Sequence, residues 1–262
     1  MPTFANLEVT VEGARGTLRL NEPRSLNPLR AITLQALVDA AAWLDTQQQL
    51  KVVVVSGAGR AFSAGADVQL VGAASAPTAA GPRENADLGR RMADAIEGMR
   101  AVTIAQIHGH CIGGGVVLAS ACDLRVASAQ ANFRIPEVDL GIPLAWGGLQ
   151  RLVREIGPAM TRELVMTCRD FSSQEAHAIG LLNRVVPEAN LAETVEHLAG
   201  QLADKAHYAL LSTKRQANAI TASMLGMPQT LLDADLLVAG LRDPEGQEKA
   251  AAYLSRVFSK KS

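Results

Sequence analysis

Cysteine is scarce in this chain. The three present, Cys111, Cys122 and Cys168, lack the spacing of a zinc site or a disulfide framework. Three buried thiols in a reducing cytoplasm are the expectation. Long apolar runs are also missing: the most apolar stretch, residues 112–122, is too short to span a bilayer and contains three glycines. The first eleven residues show no basic segment followed by an apolar core, so no secretory signal is expected. Nor is there an excess of one charge. A formal net charge of −1 supplies no field for nucleic acid or an anionic membrane. What is there is an ordinary globular composition, 48% hydrophobic and 19% charged, over 262 residues. That length suits one large domain, or one domain with a smaller appendage, around a real core.

Residues 7–11 and 17–20 are short β-like runs on either side of a turn, the pattern of a hairpin. Apolar residues recur at helical spacing over 31–43 and again over 84–99. Lys51-Val52-Val53-Val54-Val55 is a β-branched run of the kind buried on both faces of a sheet, and residues 102–107 and 124–127 read as further strands. Strand, glycine-rich segment, helix and strand therefore alternate, which predicts an α/β layer built from crossover units. Residues 73–82 read as a loop. From Gly147 onward the pattern is almost entirely helical, with a capping box at Ser172 and Glu175 and a helix stop at Gly180. A soft boundary is expected near 188–191, dividing a core over 1–190 from a helical region over 191–262.

Two glycine-rich segments follow buried strands, at 56–65 and 108–115. The first begins like a dinucleotide fingerprint, but Phe62 stands where the third glycine is required. Neither segment ends in the Gly-Lys-Ser/Thr of a phosphate-binding loop. Gly113-Gly114-Gly115 directly precedes an apolar helical run, so its N–H groups lie at a positive helix terminus and are able to donate to a developing oxyanion. The spacing fits such a site and tight turns about equally.

Taken together, Ala61-Phe62-Ser63-Ala64-Gly65-Ala66-Asp67 and Ile107-His108-Gly109-His110-Cys111-Ile112-Gly113-Gly114-Gly115 resemble the two signature segments of the enoyl-CoA hydratase/isomerase (crotonase) superfamily. The similarity runs on, in order, through 121–127, Phe133-Arg134-Ile135-Pro136-Glu137, Leu140-Gly141, Gly147-Gly148 and Gln150-Arg151-Leu152 to Val185-Val186-Pro187. Leu26-Asn27 before the first long helix also fits. The resemblance implies an α/β spiral of repeated ββα units, with a C-terminal helical region that builds a homo-trimer or hexamer. It also implies a pocket for an acyl-CoA thioester, coenzyme A being part of the substrate, with no separate cofactor, metal, nucleic acid or membrane insertion. By position, the oxyanion-hole N–H groups would be those of Ala66 and Gly114. Leu26, Ala64, Asp67 and Val68 would lie near the CoA moiety, and Tyr253 and Arg256 near its adenine end, commonly that of a neighbouring subunit.

Acid–base chemistry next to a thioester needs a proton carrier. Hydratases that this chain resembles use two glutamates, and the two positions here hold Val117 and Glu137. Valine transfers no proton. One carboxylate is enough for a shuttle that takes a proton from one carbon and returns it to another, so the pattern favours single-glutamate double-bond isomerisation. Water addition, and thioester binding without turnover, are the alternatives. Ala145 stands where dienoyl isomerases and dehalogenases of the superfamily carry an aspartate. Burial in an apolar pocket is expected to raise the Glu137 pKa. Asp67 and Asp139 read as bracing or solvated groups, and His108 and His110 as hydrogen-bonded structural residues. Ser63 has no base placed to activate it. Trp146 replaces a residue that is commonly small, and is expected to narrow the acyl pocket or fill core volume.

Overall fold

The computed structural model describes residues 2–67, 81–225 and 233–259. Ten strands form two sheets among the described residues. The hairpin β1 (Leu7–Glu12) and β2 (Arg15–Leu20) turns at Gly13, whose φ of 61° belongs to the left-handed region where glycine is free of strain. β2 pairs in parallel with β3 (Val52–Gly57), and β3 with β5 (Val102–Ile107). Next come β7 (Leu124–Ser128) and β10 (Arg184–Val186), completing a six-stranded sheet. A four-stranded sheet holds β4 (Ala61–Ser63), β6 (His110–Ile112), β8 (Asn132–Arg134) and β9 (Phe171–Ser172). The chain thus places one strand in the large sheet and the next in the small one, three times in succession, which makes the spiral.

The glycine-rich segments are where the expectation needed refining. Each contains a three-residue strand, β4 or β6, too short for hydrophobic periodicity to reveal. Gly57 is needed because a Cβ there would strike the returning carbonyls of Ala61 and Phe62. Phe62 itself is wholly buried in the core, so the dinucleotide reading of this segment fails on packing.

Helices cover both faces of the large sheet. On one side lie α1 (Ala31–Asp45), α2 (Pro82–Gly98), α3 (Gly114–Ser120) and α4 (Gly148–Thr167), the last broken at Gly157-Pro158. The short helix α5 (Ser173–Ala178) starts with the expected cap: Ser172 Oγ accepts from the Glu175 N–H, and Gly180 at φ 90° follows its end. α6 (Glu188–Ala203) packs Leu191, Val195 and Leu198 onto Val52, Ile104 and Val126 of the opposite sheet face. The division expected at 190/191 therefore falls inside a helix whose apolar side belongs to the core. Three more helices follow: α7 (His207–Leu225), α8 (Asp233–Arg242) and α9 (Pro244–Ser259). α8 packs on α2, and α9 packs on the 3-10 turn Val138–Leu140. The strands β9 and β10 interrupt a region whose sequence reads as almost entirely helical. All three cysteines are buried and free. No helix among the described residues is long and apolar enough to cross a membrane. The loop expected over 73–82 lies outside the described residues except at its end, where Gly81 and Pro82 open α2.

Asn27 ties the first glycine-rich turn together. It is buried at φ 54°, its Nδ2 donates to the carbonyls of Ala58 and Ala61 at 2.8 Å, and its Oδ1 accepts from the Glu22 N–H. Asn27→Ala leaves two buried carbonyls without that donor and places alanine in the left-handed region. We expect a loss of about 2–4 kcal/mol in urea unfolding. A change below about 0.5 kcal/mol, typical of surface sites, would contradict this role.

Candidate active site

Register in the small sheet builds the site. β4 and β6 run parallel with Ser63 opposite Cys111, so the residues that follow them meet. Gly65 bends at φ 81°, and a Cβ there would lie 3.1 Å from the Gly114 nitrogen. The Ala66 loop is anchored from the other side: the Leu29 N–H donates to Gly65 O at 2.8 Å, and Ser63 Oγ donates to Asn27 O and accepts from the Gly65 N–H. Gly113, at φ 50°, donates to Arg134 O and starts α3, leaving Gly114 at the first helical position, where an N–H has no partner within the helix. Among the described residues, neither the Ala66 nor the Gly114 N–H donates to a protein acceptor. Both residues line one cavity of about 300 Å³. Two free donors converging on an apolar pocket are suited to a carbonyl oxygen that gains charge.

Glu137 faces these donors. It sits at the head of the turn Val138–Leu140, where its carbonyl accepts from the Leu140 and Ile142 N–H groups at 3.0 Å. Arg134 fixes that turn by donating to Asp139 at 2.7 Å and to Cys168 O at 2.8 Å. The carboxylate reaches the glycine loop so closely that a Cβ on Gly113 would lie 2.5 Å from Glu137 Oε1. Its Oε2 is shielded from solvent and has no hydrogen-bond partner. Burial pushes the pKa up from 4.5 to about 7, because a carboxylate loses hydration there with no cation to replace it. Around it stand Leu29, Leu34, Val117, Leu144 and Ala145, with Leu237 and Leu241 contributed by α8. The cavity's other carboxylate, Asp67, is held by Arg30 Nε at 2.7 Å.

Of the residues expected at a site, the structure brings together Ala66, Gly114, Glu137 and Asp67. Leu26 and Ala64 are joined to each other through Ala64 N–H to Leu26 O at 2.9 Å, but do not line the cavity. Val68 lies outside the described residues. Tyr253 and Arg256 are on α9, behind the Glu137 turn rather than in the cavity. The half-buried Tyr253 ring has the guanidinium carbons of Arg134 and Arg256 at 5.7 and 5.6 Å. Asp139 is occupied with Arg134, Ser63 with the backbone, and His108 with Gly59 O at 2.8 Å. Sequence reasoning missed Arg30 and the α8 pair Leu237 and Leu241. The i,i+4 leucine spacing was the available signal, though it equally marks ordinary helix packing.

A family model for enoyl-CoA hydratase/isomerase matches residues 12–257. The chain belongs to the enoyl-CoA hydratase/isomerase family. It is 35% identical over 216 residues to a crotonyl-CoA hydratase of Syntrophomonas wolfei, covering 82% of each chain. It is also 35% identical over 227 residues to a peroxisomal Δ(3,5)-Δ(2,4)-dienoyl-CoA isomerase of Arabidopsis thaliana, again with 82% of each chain covered. Among solved structures, an enoyl-CoA hydratase from Mycobacterium avium subsp. paratuberculosis superposes with a TM-score of 0.87 at 27% identity, covering 96% of this chain and 100% of that one. This enoyl-CoA hydratase/isomerase family enzyme therefore carries the fold that the glycine segments imply.

The raised Glu137 pKa makes stability depend on pH. Between pH 4.5 and about 7 the folded enzyme keeps a proton that the unfolded chain has released. Its contribution is complete below 4.5 and is lost as pH rises through about 7. We expect Glu137→Gln to flatten this part of the unfolding free-energy profile. Matching slopes in both proteins would contradict the buried, unpaired carboxylate.

Proposed function

We propose that this enzyme isomerises the double bond of an enoyl-CoA thioester with Glu137 as the single proton carrier. The observation behind this reading is a buried carboxylate whose Oε2 has no hydrogen-bond partner, in a cavity where position 117 is valine and position 145 is alanine. The Ala66 and Gly114 N–H groups would receive the thioester oxygen and strengthen their hold as it becomes an enolate. Glu137, ionised, takes a proton from the carbon next to the carbonyl of a 3-enoyl thioester. The electron pair of that C–H bond moves into conjugation, and the negative charge collects on the oxygen. The same carboxyl then returns its proton to the far end of the dienolate, leaving a 2-enoyl thioester and the starting carboxylate. A pKa near 7 lets one group serve in both directions. As written, the cycle calls for no metal or redox group.

In this reading Leu26, Ala64, Asp67 and Val68 border the CoA arm, and Tyr253 and Arg256 approach an adenine held by a neighbouring subunit. The assembly is a trimer or a pair of trimers in the cytoplasm. A second reading is water addition, favoured by the hydratase names of relatives such as that of Syntrophomonas wolfei. It would require Glu137 to orient a water and a further group to complete the proton inventory.

Mass spectrometry of products formed in deuterated buffer separates the readings. Isomerisation shifts the double bond without the mass of water, and deuterium enters only where the carboxyl exchanges its proton with solvent before returning it. A hydroxyacyl product would overturn the single-carboxylate cycle, as would tight thioester binding with no product. Glu137→Gln is expected to lower kcat by about 10²–10⁴-fold with thioester binding retained. In the unaltered enzyme kcat/KM should rise with pH through about 7, as the base ionises.

A further inference from the structure

We propose that Trp146 is the chain-length stop of this site and restricts it to short acyl thioesters. The inference rests on the reading above, in which Ala66 and Gly114 hold the thioester oxygen. Three features of the indole carry it.

The first is its location. Trp146 lines the cavity together with Gly114, Val117 and Glu137. A Cβ added to Gly114 would collide with Cζ3 of the indole, so the six-membered ring lies directly against the donor residue. An acyl chain whose carbonyl is held at Gly114 and that extends into the apolar pocket meets this ring within a few carbons. At about 300 Å³, the cavity is at the lower end of the about 300–1,000 Å³ usual for ligand sites.

The second is what supports the ring from behind. A Cβ on Gly89 would overlap Cγ, Cδ2 and Cε2 of the indole. Gly89 is in the interior of α2, where glycine is less favourable than alanine. Contact with Trp146 accounts for a residue that helix propensity alone disfavours. The indole is thus wedged between two glycines from different elements.

The third is the backbone. Trp146 adopts φ 61°, uncommon for a bulky residue, and the surrounding structure over-determines it. The next N–H, that of Gly147, donates to Asp233 Oδ2 of α8 at 2.7 Å. From the other side Arg151 Nη1 donates to Gly147 O at 3.2 Å. Arg151 is 1% exposed and is itself anchored on Asp94 and Glu97 of α2. A wall fixed at both its ring and its backbone does not swing aside for a longer chain.

The test uses saturated thioesters, so no turnover is required, and calorimetric titration of butyryl-CoA and decanoyl-CoA. The unaltered enzyme should bind butyryl-CoA more tightly. Trp146→Ala should improve decanoyl-CoA affinity by about tenfold or more, with a much smaller change for butyryl-CoA. Equal preference in the unaltered enzyme, or an unchanged ratio in the variant, would overturn the proposal. Failure here leaves the product assay untouched, and failure of the isomerase reading appears in that assay alone. A second measurement guards against misfolding of the single variant. Gly89→Ala should lower Tm in the unaltered background by crowding the indole, and raise it in the Trp146→Ala background, where helix propensity then decides. Additive Tm changes in the two backgrounds would contradict the wedge.

Discussion

Three consecutive glycines govern this site because each makes room for a different part of it. A Cβ at Gly113 would press on the Glu137 carboxylate, one at Gly114 on the Trp146 indole, and one at Gly115 on the Ser63 carbonyl of the neighbouring loop. Glu137, Trp146 and the first glycine-rich segment therefore converge on one stretch of bare backbone at the start of α3. Van der Waals exclusion sets this requirement more sharply than any hydrogen bond does, since neither backbone nor ring atoms can yield by an ångström in a packed interior. Gly113 has the further need of a left-handed φ.

Electrostatics then separates the carboxylates. Asp67 is held by Arg30 and Asp139 by Arg134, so each serves to fix a loop. Glu137 has a shielded oxygen without a partner. An unpaired carboxylate at this depth is costly, and the structure meets that cost by keeping the group protonated up to about pH 7. The same arrangement that destabilises the ionised form leaves a base of useful strength beside the two free N–H donors. With valine at 117 and alanine at 145, the carboxylates lining the cavity among the described residues are Glu137 and the Arg30-held Asp67.

Much of this was legible in the chain. The buried strand β3 follows from its β-branched run, β5 and β7 from shorter apolar stretches, and the Ser172 cap from its spacing to Glu175. The glycine segments, with Glu137 after Pro136, carried the resemblance from which the site was read. What escaped was decided by contacts between distant positions. β4, β6 and β8 are three residues each and exist because they pair with one another, which periodicity does not register. Gly89 looks like a flaw in a helix until the indole beside it is seen. α6 reads as the start of an appendage, yet its leucines cover the far face of the sheet. Leu237 and Leu241 close the cavity from a helix far along the chain.

The central claim is geometric: two backbone donors and one unpaired carboxyl act on the same thioester. A crystal structure with bound butyryl-CoA tests it most directly. The account predicts the thioester oxygen within hydrogen-bonding distance of the Ala66 and Gly114 nitrogens, with Glu137 as the carboxylate nearest the adjacent carbon and the end of the chain against Trp146. A thioester oxygen bound away from these two N–H groups, or a Glu137 carboxylate turned out of the cavity, would contradict it.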